Sequence, residues 1–168
     1  SAPARMASSS SFRLVTSTPT FMRWCAPSTA RSTAAVTPPA ALIAYPTLLK
    51  GPAPHIRAYP PQTVVAEKLE AMASLGMRNS RLKDFYDMWV ISQVMAFTGP
   101  SLVDAITATF RRRQTALSES PPLALSAAFA NDVDKQRQWA GFLRRTEFSI
   151  EPAPFPRVHE EIVRFVMP

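Results

Sequence analysis

A chain of 168 residues with 46% hydrophobic residues, 17 Pro, 4 Gly, one Cys and a formal net charge of +7 is long enough for one domain with its own core. One Cys excludes a disulfide framework, and His55 and His159 are too few to complete a Cys/His zinc set, so the chain reads as intracellular, in the cytoplasm. No apolar run approaches the roughly eighteen residues of a membrane span, and Gly51, Gly76, Gly99 and Gly141 form neither a phosphate-cradling loop nor a dinucleotide fingerprint.

The charge divides the chain unevenly. Residues 1–66 carry six basic residues (Arg5, Arg13, Arg23, Arg31, Lys50, Arg57) and no Asp or Glu, together with ten of the prolines, while thirteen basic and all twelve acidic residues follow. Ser and Thr crowd the first 44 residues and apolar periodicity is weak there, which predicts a largely disordered segment over 1–44 ahead of a helical domain over 45–168. Three origins stay open for the segment: an organellar transit leader, a basic arm for nucleic acid, or a disturbed reading frame.

From Pro60 onward the punctuation is helical, and no strand pattern is evident. Pro61 starts a helix over 62–75 that Gly76 ends, and Ser80 caps a second over 81–97, stopped by Thr98-Gly99-Pro100. Ser101 caps a third that runs to Arg113, where three arginines suit the negative end of the helix dipole. Two more are expected over 121–130 and 131–145, the latter capped by Asn131, and a last amphipathic piece over 157–166. The expected fold is mainly α, a helical bundle.

On a wheel of the first helix, Val65, Leu69 and Met72 form an apolar stripe, and Lys68 falls inside it. Glu67, Glu70 and Ser74 occupy the opposite side as a solvent face. The second helix is apolar nearly all round, yet Asp84 lies in the row of Met88, Ile91 and Met95. A carboxylate there costs several kcal/mol unless a cation meets it, and Lys68 is the expected partner. Arg81, Lys83 and Asp87 add charges within the same two turns. Two readings of this cluster stay open: an ion-pair network that pins a helical hairpin, or a basic group held rigid by carboxylates and aimed at phosphates.

The run Arg57-Ala58-Tyr59-Pro60, then Gln62-Thr63-Val64-Val65-Ala66-Glu67-Lys68-Leu69-Glu70-Ala71-Met72, then Leu75-Gly76 and Asn79-Ser80-Arg81-Leu82-Lys83-Asp84-Phe85-Tyr86-Asp87, closely resembles the C-terminal motifs of the AbiEii/AbiGii-type nucleotidyltransferase toxins of bacteria. The likeness continues through Ala105 to Thr115 and Trp139. It implies the C-terminal helical part of an α+β nucleotidyltransferase from a toxin–antitoxin or phage-defence system. Such an enzyme transfers a nucleotide from an NTP to an RNA (tRNA) or protein acceptor at Mg²⁺, and has a cognate antitoxin as partner. By the resemblance Lys68 contacts the NTP phosphates and Asp84 completes the active site. Arg81 and Lys83 join Lys68 in phosphate binding, and Glu67 and Asp87 support them.

The chain departs from the family pattern upstream. The Gly-Ser or Gly-Gly-Thr turn and the Asp-x-Asp metal pair are absent, and since Glu67 is the first acidic residue, residues 1–66 hold no metal-binding carboxylate. The expectation is therefore a truncated, inactive remnant. The rival, from another class, is a non-catalytic basic module that binds RNA or a partner protein, and a product without function is a third. Arg111, Arg112 and Arg113 read either as a solvated helix end or as an RNA contact. The aromatics Phe85, Tyr86, Trp89, Phe110, Phe129, Trp139 and Phe142 read as core, and neither His is given a catalytic role.

Overall fold

The computed structural model describes residues 37–45, 51–148 and 150–167. The expected disorder of 1–44 falls outside them as far as residue 36. The rest of that segment contains strand β1 (Ala41–Ala44), which pairs antiparallel with β2 (His55–Ala58), Ile43 opposite Ile56 and Leu42 opposite Arg57. The boundary expected at residue 44 thus falls at the end of a paired strand. The ribbon is tied to the helices where the Thr63 hydroxyl donates to the Thr37 carbonyl at 3.2 Å.

Six α-helices follow, with start and stop signals that mostly match the sequence. Helix α1 (Pro61–Leu75) has Pro in its first turn, where the missing N–H costs nothing, and closes with the Gly76 N–H donating to the Met72 carbonyl. Gly76 has φ +49, and a β-carbon there would meet only Leu123 at ordinary contact distance, so conformation rather than crowding calls for glycine. A 3-10 turn (Gly76–Arg78) then leads to α2 (Leu82–Val94). Ser80 does not cap α2. The Asn79 side-chain oxygen, one residue earlier, accepts the Arg81 N–H at 2.9 Å.

Helix α3 (Gly99–Arg113) begins two residues before the expected Ser101 cap, because Pro100 fits the first turn and Thr98 becomes the boundary residue. It ends at Gln114 in the left-handed region, φ 57. The stretch expected as one helix over 121–130 is a 3-10 turn (Leu123–Leu125) and a short α4 (Ala127–Asn131), capped by Ser126, whose hydroxyl accepts the Phe129 N–H. Asn131 closes α4, and Asp132 caps α5 (Val133–Leu143) by accepting the Lys135 N–H at 2.9 Å. Helix α6 (Phe155–Val166) again has Pro in its first turn. None of the helices among the described residues is long and apolar enough to cross a membrane.

The core sits where α2 meets α4, α5 and α6. Phe85 is fully buried, stacked on Phe129 at 5.3 Å between ring centres and edge-on to Phe155 at 5.4 Å, and Trp139 packs on Phe155 at 5.3 Å. Of the aromatics expected in the core, only Phe142 is partly exposed, and it still packs against Tyr86 and Trp139. Helix α1 adds Val65, Leu69 and Met72 to this core, and α3 runs along its other side. The expected solvent face of α1 is therefore largely covered. Glu70 is buried and accepts the Thr115 hydroxyl at 2.6 Å, and Glu67 holds Arg112 and Arg113.

His159 is buried beside Phe85 and Phe129, its Nε2–H donating to the Ala124 carbonyl at 3.0 Å. A carbonyl can only accept, so Nε2 carries the proton of the neutral ring. Burial pushes the His159 pKa below the ordinary 6.5, partly opposed by the Ala124 hydrogen bond.

Two measurements check this packing. Phe85→Ala removes the side chain on which three rings converge and should lower unfolding free energy by about 3–5 kcal/mol in urea titration. At His159 the unfolded chain takes up a proton near 6.5 while the native state resists it, so stability rises with pH across this window. That stability is full above about pH 6.5 and falls as the pH drops toward the lower native value. His159→Gln should flatten the stability profile between about pH 7 and 5, and parallel profiles for the two proteins would contradict the assignment.

Candidate functional site

Lys68 projects from α1 into the junction with the first turn of α2. Its side chain is 3% exposed, and Nζ donates to Asp84 Oδ1 at 2.6 Å and to Asp87 Oδ2 at 2.9 Å. The sequence reads Asp84 and Asp87 three apart on α2, so both face the same side, and Asp84 lies in the first turn where the helix dipole favours a carboxylate. Lys83 reaches the same Asp87 from the solvent side at 2.7 and 2.8 Å. Among the described residues, two ammonium groups and two carboxylates thus form one network. Lys68, Lys83, Asp84 and Asp87 are brought together as their spacing suggested.

Arg81 stands at the N-terminal boundary of α2. It is exposed, and it has no ion-pair partner among the described residues. Glu67 does not join the network, although it neighbours Lys68. It points to the end of α3, where Arg113 lies at 2.5 Å and Arg112 closer still, while Arg111 is exposed. Two of the three arginines are therefore engaged by one carboxylate, Arg113 while still exposed, and Arg111 is the member of the run with no ion pair among the described residues.

Two residues to which sequence reasoning assigned no role meet beside the start of α2: Asn79, which lies within the family-like motif, and Lys135 from α5. Asn79 is fully buried, with its side-chain oxygen on the Arg81 N–H, and Lys135 is buried with Nζ donating to the Asn79 carbonyl at 2.8 Å. A signal for Lys135 existed: it precedes Trp139 by four, on the buried face of α5.

The carboxylates at hand do not fit a Mg²⁺ site. Asp84 and Asp87 are taken up by lysines, and no group of three or more His, Cys, Asp or Glu among the described residues could hold a metal ion.

Removing one member of the buried pair strands the other's charge. Lys68→Ala and Asp84→Ala should each cost about 3–5 kcal/mol, and the double substitution Lys68→Met with Asp84→Leu should cost less than the sum of the single changes, as read from urea unfolding. A loss below about 1 kcal/mol for either single change would show that the pair does not hold the hairpin.

The likeness of the motifs to a known family is matched by a comparison of the whole chain. Residues 31–161 match the family described as the nucleotidyl transferase AbiEii toxin of type IV toxin–antitoxin systems. The matched region takes in the ribbon, the Lys68 network and all six helices up to Glu161, and it begins inside the segment 1–44. No curated protein and no solved structure matches the chain. With well over half of its length matched, the chain belongs to the AbiEii nucleotidyl transferase toxin family.

Proposed function

We propose that this chain provides the helical half of a nucleotidyltransferase toxin and presents the start of α2 to the triphosphate of an NTP. The observation that carries the reading is the buried Lys68 pair, which fixes the first turn of α2 while Arg81 and Lys83 stay exposed on it. In nucleotidyl transfer the acceptor oxygen of an RNA or protein attacks the α-phosphorus and pyrophosphate departs. Cations at the β- and γ-phosphates neutralise the charge that builds on this leaving group. Arg81 offers a planar fork and Lys83 a point charge for that task. Lys68 and Asp84, with Asp87, act by holding that edge in place, and Glu67 does so indirectly by anchoring α3.

The family brings a cognate antitoxin and NTP as partners. The Mg²⁺ that nucleotidyltransferases use finds no seat among the described residues, and residues 1–66 contain no Asp or Glu. On this reading the metal carboxylates of the reaction come from outside residues 1–66 and the described residues.

The test is transfer of label from radioactive NTPs to bulk tRNA and protein, with the chain alone and with the N-terminal half of an intact AbiEii toxin added in trans. Label is expected only with both halves, and Arg81→Ala should lower it about tenfold or more. Transfer by these 168 residues alone would overturn the need for carboxylates from elsewhere. Absence of transfer, with salt-sensitive RNA binding indifferent to NTP, would establish the RNA-binding module in its place.

A further inference from the structure

Two buried groups beside the start of α2 are unusual. Lys135 is 7% exposed, yet no carboxylate lies within ion-pair distance of its Nζ among the described residues; its contacts are the Asn79 carbonyl at 2.8 Å and the ring face of Phe129 at 5.0 Å. The nearest acidic residues in sequence are otherwise engaged: Asp132 accepts the Lys135 backbone N–H and Asp134 pairs with Arg137. Beside it, the Asn79 side-chain nitrogen is the one buried polar side-chain atom among the described residues without a hydrogen-bond partner. The oxygen of the same amide accepts the Arg81 N–H, so the Asn79 side chain lies across the first turn of α2.

Charge around this turn does not balance. Among the described residues, Lys68 and Lys83 meet Asp84 and Asp87, but Arg81 and Lys135 have no carboxylate, which leaves two positive charges at a helix N-terminus that itself favours anions. A buried cation without a carboxylate and a buried amide N–H without an acceptor are both costly, and one oxyanion would relieve both.

We propose that the start of α2 is a phosphate-binding site in which Asn79 and Lys135 form the floor and Arg81 and Lys83 the exposed rim, its ligand class being a doubly charged phosphate group. The inference rests on the reading of α2 as the triphosphate-facing edge and adds two residues to it. Asn79 holds the rim by accepting the Arg81 N–H, and Lys135 holds Asn79 while supplying a positive charge from below.

Pyrophosphate is the probe, titrated by calorimetry into the full chain, with inorganic phosphate and ATP in parallel. Asn79→Asp keeps an oxygen for the Arg81 N–H but places a carboxylate beside Lys135, supplying the missing counter-ion internally. It should weaken pyrophosphate binding about tenfold or more while leaving the urea midpoint unchanged or higher. Lys135→Gln should weaken binding similarly and Lys135→Arg should retain it, which covers the case in which one variant fails to fold. Pyrophosphate binding that is equal in wild type, Asn79→Asp and Lys135→Gln but lost in Arg81→Ala would overturn the floor and leave the rim standing. ATP binding without pyrophosphate binding would overturn the site while sparing the wider reading. Failure of the chain to bind any of the three probes would overturn both.

Discussion

A lysine ammonium at 3% exposure, shared by two carboxylates of the neighbouring helix, constrains the fold more tightly than any apolar contact around it. Apolar packing is tolerant of small slides, because Val65, Leu69 and Met72 gain about the same from any well-filled surface. The Lys68 contacts are not tolerant. A shift of α2 by a fraction of a turn would separate Nζ from Asp84 or Asp87 and leave a charge buried without a partner, at a cost of several kcal/mol. Helix α1 carries a second polar seam on its other side, where Glu67 meets Arg112 and Arg113 and Glu70 meets Thr115. With one seam facing α2 and the other α3, α1 sets the relative placement of both.

The parts of this arrangement that were legible in the sequence are those where one residue contradicts its surroundings. Lys68 inside an apolar stripe and Asp84 inside an apolar row each demanded a partner, and the only economical answer was each other. Gly76 and the prolines at 61 and 100 marked boundaries through backbone restrictions that hold in any context. Glu70 was illegible for the opposite reason. A Glu on the polar side of an amphipathic helix agrees with its surroundings, and nothing local tells that α3 will cover it. The ribbon of Ala41–Ala44 and His55–Ala58 was hidden too, since four-residue strands rich in alanine carry little pattern. The pairing of Asn79 with Lys135 belongs to this class, since it joins residues 56 positions apart in sequence.

The same geometry decides what Lys68 can do. The family resemblance gives it the phosphates, but to reach them Nζ would have to leave two carboxylates that have little other access to water. Stranding even one costs several kcal/mol, whereas a charged hydrogen bond to a phosphate returns about 1.5–3 kcal/mol. Arg81 faces no such exchange, being exposed and without a carboxylate to abandon. The balance therefore separates two roles that sequence motifs run together. The buried lysine fixes the position of the first turn of α2, and Arg81, on the exposed side of that turn, is the cation able to meet an incoming phosphate without first breaking an ion pair among the described residues.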